Sequence, residues 1–206
     1  VGSGKAAIDA PASIVLAAQP EKKEAKPAEK TEGKEKAKKP AEPQTTVFVG
    51  DKAPDVALVN RDRQPVRLSE LFGQPLVLVF FPAAFSAVCT REMCTFRDDL
   101  KKFEDVGAQV AGISVDAPYA QKAFAEQQGL TFPLLSDFNR QAVQAFGIED
   151  PRFAKGLLPG VAKRSVFVLD RGGTVVYRWV SDDPTVEPSY VEVQEAVRRL
   201  QAGARG

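Results

Sequence analysis

Residues 74–103 read QPLVLVFFPAAFSAVCTREMCTFRDDLKKF. After Gln74-Pro75 the run Leu76 to Phe81 is apolar without a break, the pattern of a central strand covered on both faces. From about Ala87 the period becomes helical. Cys89, Met93, Phe96, Leu100 and Phe103 follow a 4-3-4-3 spacing, and at about 100° per residue they fall within about 80° of one another. The spacing predicts one helix over residues 87–103 with Cys89 in its first turn, on the stripe that faces the core.

The flanking sequence completes an alternating pattern. Gln109 to Val115 is a second apolar run. Pro118 to Gln128 reads as a helix with Asp116 as its cap and Gly129 as its stop, and Arg140 to Phe146 as a short helix closed by Gly147. Ser165 to Leu169 and Thr174 to Val180 flank Asp170-Arg171-Gly172-Gly173, which predicts a hairpin. Ser189 opens a last helix to about Leu200, with Val193, Val197 and Leu200 at helical spacing. Asp55 to Asn60 and Pro65 to Leu68 read as a short strand pair. This order predicts an α/β three-layer sandwich with a mixed central sheet.

Composition excludes much chemistry. The 206 residues are enough for one ordinary domain and not for two full-sized ones. With no His, neither a Ser-His-Asp triad nor an imidazole base or ligand is available, and two cysteines cannot build a four-thiolate zinc or iron–sulfur site within one chain. We expect no cofactor and no metal. Net charge is +1, so no global field attracts nucleic acid or an anionic membrane. No apolar run approaches the ~18–20 residues of a membrane helix.

Residues 1–46 differ from the rest. Gln19 to Thr46 contains no aromatic and no large aliphatic residue, too little apolar surface to offset an ordering entropy of roughly 1–2 kcal/mol per residue. We read 1–46 as a disordered Lys/Glu/Ala/Pro-rich tail and 47–206 as the folded domain. Nine Lys against seven Asp or Glu in the tail argue against a polybasic anchor. The run ASIVLAA (Ala12 to Ala18) is at the short limit for a signal peptide, with Asp9 and Pro11 beside it. The expectation is a cytoplasmic protein, with export the alternative if residues 1–18 are a signal remnant.

A thiol in the first turn of a helix meets unpaired N–H groups and the positive end of the dipole, and both favour thiolate. The opposing reading is that Cys89 is a small buried hydrophobe. Cys94 lies five residues on, about 140° around an ideal helix, with the two Cα atoms about 8.6 Å apart. That exceeds the ~7 Å a disulfide tolerates. Either the two never bond or the helix unwinds when they do.

Pro82-x-x-x-Ser86-x-x-Cys89 resembles the active-site motif of the peroxiredoxins, Pro-x-x-x-Thr/Ser-x-x-Cys. Glu92 matches a position commonly acidic or amide there, although it could equally support the helix N-terminus. Gly50 to Asp55 (GDKAPD), Gly129 to Asp137 (GLTFPLLSD) and Lys163 to Asp170 (KRSVFVLD) are similar to further segments of that family, so the resemblance covers about residues 47–200. The spacing Cys89-x4-Cys94 resembles the bacterioferritin-comigratory (PrxQ) subgroup, whose resolving cysteine lies on the same helix. Around Phe85 and TFPLLSD the chain also resembles the one-cysteine branch.

The resemblance implies a thioredoxin-like fold and a thiol-dependent peroxidase. By it, Cys89 attacks hydrogen peroxide or an organic hydroperoxide and becomes a sulfenic acid. Arg164 stabilises thiolate and peroxide oxygens, Ser86 hydrogen-bonds the peroxide, and Pro82 shields the pocket. Cys94 then condenses with the sulfenic acid, and thioredoxin or a similar dithiol restores the enzyme, which works as a monomer or weak homodimer. Without the resemblance, Arg164 reads as a surface charge at a strand end. Arg97, Asp98 and Asp99 read as a solvated helix face, and Tyr177 and Trp179 as packing residues. A thioredoxin-like thiol–disulfide oxidoreductase is the rival reading; that activity usually needs Cys-x-x-Cys, which this chain lacks.

Overall fold

The computed structural model describes residues 47–203. The tail boundary at residue 46 and the Ala12 to Ala18 run lie outside the described residues. The chain builds β1 (Ala57–Asn60), β2 (Pro65–Arg67), β3 (Leu76–Phe80), α1 (Ala87–Asp98), α2 (Leu100–Glu104), β4 (Gln109–Ser114), α3 (Pro118–Gln128), β5 (Leu134–Ser136), α4 (Gln141–Phe146), β6 (Glu149–Asp150), β7 (Val161–Ala162), β8 (Ser165–Leu169), β9 (Val175–Val180) and α5 (Tyr190–Gly203).

Seven strands form one mixed sheet in the order β2-β1-β5-β4-β3-β8-β9. β3, β4 and β5 are parallel, and β8 runs antiparallel to β3 with Phe80 opposite Ser165. β6 and β7 make a separate two-stranded ribbon. The unbroken apolar run of β3 serves two cores. Leu76, Leu78 and Phe80 point to one face, with Phe146 of α4 and Phe167 of β8. Val77, Val79 and Phe81 point to the other, with Cys89, Met93 and Phe96 of α1, Phe124 of α3 and Val193 and Val197 of α5. The three layers are therefore unequal, with α1, α2, α3 and α5 on one face and α4 on the other.

Gly112 on β4 lets the helical layer approach closely. A Cβ there would lie 2.6 Å from Leu134 Cδ2, 3.3 Å from the Phe81 ring and 3.4 Å from Met93 Sδ. The β8–β9 turn is closed by Asp170, whose Oδ1 accepts from the N–H groups of Gly172 (2.9 Å) and Thr174 (2.8 Å), and by Gly173 at φ 80°, a conformation that suits glycine.

Two local expectations are corrected, and one strand is added. The helix of residues 87–103 breaks at Asp99, which has φ −92° and ψ −1° and separates α1 from α2. The Asp99 carboxylate is bound by Lys102 (2.6 Å) and by Gln194 of α5 (2.8 Å), and these bonds hold the residue at the kink. The apolar stripe survives the break: Cys89, Met93, Phe96 and Phe103 are buried in one cluster, with Leu100 packed against it. Asp116 does not cap α3, which begins with Ala117 at the cap and Pro118 in the first turn. The Asp116 carboxylate is used elsewhere, as described below. Finally, Leu134–Ser136 is a strand, β5, in the middle of the sheet order. Three residues are too short to display a period.

Candidate active site

Cys89 is the third residue of α1 and is fully buried. Ser86 takes the cap position with φ −69° and ψ 146°, and its hydroxyl makes no capping bond. Between β3 and α1 the chain must turn sharply, and Phe85 does so at φ 64°, a left-handed conformation that costs roughly 1–2 kcal/mol for a residue with a Cβ. Two contacts hold this loop. Asp116 Oδ2 accepts from the Ala84 N–H and from the Ser114 hydroxyl, both at 2.8 Å. The Phe85 ring stands edge-on to Phe124 at 5.1 Å. Pro82 is buried beneath the loop, directly after the Phe81 that leaves β3.

Arg164 immediately precedes β8, and the pairing of Ser165 with Phe80 carries it to the end of β3 where α1 begins. It is 1% exposed, so the reading as a surface charge fails. Its Nη2 donates to Cys89 Sγ at 3.4 Å and to the Pro184 carbonyl at 2.9 Å, its Nε donates to the same carbonyl at 3.2 Å, and its Nη1 donates to Glu92 Oε2. Burial works against the Arg164 charge, yet the attraction of Glu92 and Cys89 holds its pKa above the ordinary value.

Glu92 is fully buried one turn after Cys89. Its Oε1 has no hydrogen-bond partner among the described residues. Burial pushes its carboxyl up to about 8, with Arg164 pulling the other way without prevailing. Glu92 therefore belongs to the site and does more than support a helix end. By sequence the two roles are indistinguishable, because a carboxylate three residues after Cys89, near the start of α1, is ordinary there; its burial depends on Arg164, 72 residues away.

Cys94 is half-buried, and both cysteines are free. Its Sγ donates to Gln128 Oε1 at 3.7 Å, at the end of α3. Arg97, three residues on, donates from Nη1 to the Gln128 carbonyl at 2.5 Å and pairs with Asp98 at 2.8 Å. Of the face read as solvated, Asp98 is exposed, whereas Arg97 and Asp99 are drawn partly inward by α3 and α5. Tyr177 and Trp179 pack against the helical-side core as expected. The structure thus brings Cys89, Glu92 and Arg164 into contact, places Pro82 and Ser86 on the loop that leads into α1, and leaves Cys94 on another face of the same helix.

Two features of this site escaped the sequence reading. The Asp116 carboxylate anchors the loop before Cys89, and residues 181–189 pass beneath Arg164 and supply the Pro184 carbonyl. Neither has a local signal, because both contacts join segments far apart in the chain.

Comparison with known proteins accounts for this arrangement. Residues 49–178 match the model of the AhpC/TSA family. The chain is 40% identical over 129 residues to the chloroplastic peroxiredoxin Q of Sedum lineare, covering 63% of this chain and 67% of that protein. Among solved structures, peroxidoxin BcpB of Mycobacterium tuberculosis superimposes with a TM-score of 0.63 at 35% identity, covering 76% of this chain and 97% of that one. PrxQ of Xylella fastidiosa gives a TM-score of 0.66 at 26% identity, covering 78% and 99%. A helix-borne thiol under a buried guanidinium, on a thioredoxin-like sheet, in a sequence matched over most of its folded part, has one consistent assignment: the chain belongs to the AhpC/TSA family and is a peroxiredoxin Q-like peroxiredoxin, a thiol-dependent peroxidase.

Proposed function

We propose that the chain reduces hydrogen peroxide and organic hydroperoxides through Cys89, that Cys94 resolves the product as an intramolecular disulfide, and that thioredoxin or a similar dithiol recycles it. The observation that carries the first step is the Arg164 Nη2 donor 3.4 Å from Cys89 Sγ at the start of α1. The Cys89 thiolate attacks the terminal peroxide oxygen. An S–O bond forms, the O–O bond breaks, and the leaving oxygen departs as water or an alcohol once protonated. Cys89 is left as a sulfenic acid. Arg164 meets the charge that moves from sulfur to oxygen with charge-assisted donors. The Ser86 hydroxyl, unused as a cap, is a donor for the peroxide. Because Cys89 is fully covered, the Pro82–Ser86 loop must yield to admit the hydroperoxide. The Cys94 thiol then attacks the Cys89 sulfur and water leaves. The reading includes a cytoplasmic monomer or weak homodimer.

Cys94→Ser separates this cycle from a one-cysteine mechanism. The variant should consume one equivalent of peroxide, then stall with thioredoxin as reductant or proceed to sulfinic acid, read by stopped-flow peroxide consumption and intact mass. Wild-type cycling would assign resolution to an external thiol.

The disulfide also demands a conformational change. With α1 intact the two Cα atoms are about 8.6 Å apart, so at least its first turns must unwind. That removes Cys89 and Met93 from the core they share with Phe96 and Phe103, and losing a buried side chain of this kind costs roughly 1.5–3 kcal/mol. A six-residue loop restrains the unfolded chain by only about 2 kcal/mol. The oxidised form should therefore melt below the reduced form and lose amide protection across residues 86–98. Equal protection in both forms, with the Cys89–Cys94 bond confirmed by mass spectrometry, would rule out the unwinding.

A further inference from the structure

The segment between β9 and α5 is bound to the active site more closely than a connection requires. Both Nε and Nη2 of Arg164 converge on the Pro184 carbonyl. With that edge of the fork occupied, Nη1 is directed to Glu92 and Nη2 also reaches Cys89 Sγ. A guanidinium is planar and rigid, so the position of one carbonyl oxygen sets the angle at which its charge meets the sulfur.

Pro184 is fixed from both sides. On one side, Asp183 Oδ1 accepts from the Thr185 N–H (2.8 Å) and hydroxyl (2.7 Å), and Ser181 bonds back to Asp183. Asp182 pairs with the nearly buried Lys163 at 2.6 Å. On the other side stands Glu187. Its Oε1 accepts from Arg91 Nε at 2.6 Å and its Oε2 from the Tyr190 hydroxyl at 2.6 Å. Arg91 is two residues after Cys89 on α1, and Tyr190 opens α5 and packs edge-on to Phe96 of α1 at 5.3 Å. Burial pushes the Glu187 carboxyl up, but the bonds from Tyr190 and Arg91 outweigh it and keep the carboxyl below its ordinary range.

We infer that Glu187 is a positioning residue for peroxide reduction: by tying the 181–189 segment to Arg91 and Tyr190 it holds the Pro184 carbonyl under Arg164 and so sets the guanidinium against Cys89. The Arg91 half of the arrangement does little for stability, because Arg91 is mostly exposed and an ion pair with an exposed partner contributes little to folding; the Tyr190 bond is the part that also supports the fold. The expected effect belongs to the reaction, where a small misplacement of a charge donor is felt strongly. The inference rests on the reading of Arg164 as the group that stabilises the reacting oxygens.

The test is the second-order rate constant for oxidation of reduced Cys89 by hydrogen peroxide, measured by rapid mixing on the full chain. Glu187→Ala should lower it about tenfold, which corresponds to about 1.4 kcal/mol, in a protein that remains folded at the assay temperature by circular dichroism, with a lower thermal midpoint from the lost Tyr190 bond. Glu187→Gln can still accept from Tyr190 and should recover most of that loss. In an Arg164→Lys background, Glu187→Ala should have almost no further effect, because two residues that act as one unit are not additive. Three results would overturn the inference. A wild-type rate in Glu187→Ala alongside a slow Arg164→Lys would remove Glu187 and leave the role of Arg164 standing. A full tenfold loss that persists in the Arg164→Lys background would place the action of Glu187 elsewhere. A wild-type rate in Arg164→Lys would remove the reading of Arg164 itself, and the inference with it.

Discussion

Cys89→Ser is expected to reduce peroxide consumption to the uncatalysed background while leaving the fold in place. The two halves of that expectation have separate causes. A serine hydroxyl is a far poorer nucleophile than a thiolate, and the site offers no replacement. Cys94 is the other thiol in the chain, yet it is turned toward Gln128 and has no Arg164 contact among the described residues. Ser86 is an oxygen nucleophile with no base beside it, since the chain has no His. The fold should tolerate the change because the serine oxygen can accept the Arg164 Nη2 bond that the sulfur now takes. A polar atom that keeps its partner costs little. Peroxide consumption, circular dichroism and the thermal midpoint, measured on the same preparation, check both halves. Substantial turnover by a folded Cys89→Ser protein would remove Cys89 from the mechanism.

The parts of this site legible in the sequence are those with a local period or a local motif. The apolar run Leu76 to Phe81 announces a buried strand because both faces are covered. The stripe from Cys89 to Phe103 places the thiol against the core because helical spacing survives a kink at one residue. The hairpin shows in the Gly-rich turn after Leu169. Arg164 is different. Nothing around it separates a buried guanidinium from a charge at a strand end, and it enters the site by resemblance alone. Its burial depends on Glu92, 72 residues away, and on Pro184, 20 residues away. Asp116 is a sharper case. Its position before Pro118 suits a helix cap, but the Ala84 N–H competes for the carboxylate and wins. Asp99 likewise sits within a continuous helical period and breaks the helix through Gln194. In each case a long-range polar contact overrides a local preference, and such contacts lie mostly at the loop, kink and strand end that surround Cys89.

Glu92 carries the second large effect. Glu92→Ala leaves the buried Arg164 Nη1 without its partner, and it opens a cavity beside the buried Cys89. A hydrogen bond to a charged group contributes about 1.5–3 kcal/mol, so with the cavity the loss at pH 5, where wild-type Glu92 keeps its proton in the folded state, should be on the order of 3 kcal/mol. Glu92→Gln keeps an oxygen for Arg164 and should cost little at pH 5. The two proteins should then diverge as pH rises. The Glu92 carboxyl titrates near 4.5 when unfolded and near 8 when folded. Between those values the unfolded chain has released the proton and the folded chain retains it, so wild-type stability falls with pH by up to about 1.4 kcal/mol per unit. The contribution is fully present below pH 4.5 and exhausted above about 8. Glu92→Gln has no such proton, so it should gain on the wild type across this window and hold a constant advantage beyond it. Activity should follow the same proton. While Glu92 is neutral, the Arg164 charge is left to Cys89 and the peroxide; once it ionises, a carboxylate on Nη1 competes for that charge. The rate constant for peroxide should therefore decline above pH 8 in the wild type and stay level in Glu92→Gln. Denaturant unfolding and rapid-mixing kinetics from pH 5 to 9 test both. Parallel stability curves for the two proteins would mean that Glu92 is ionised beside Arg164 throughout, and that the pair is an ordinary buried salt bridge.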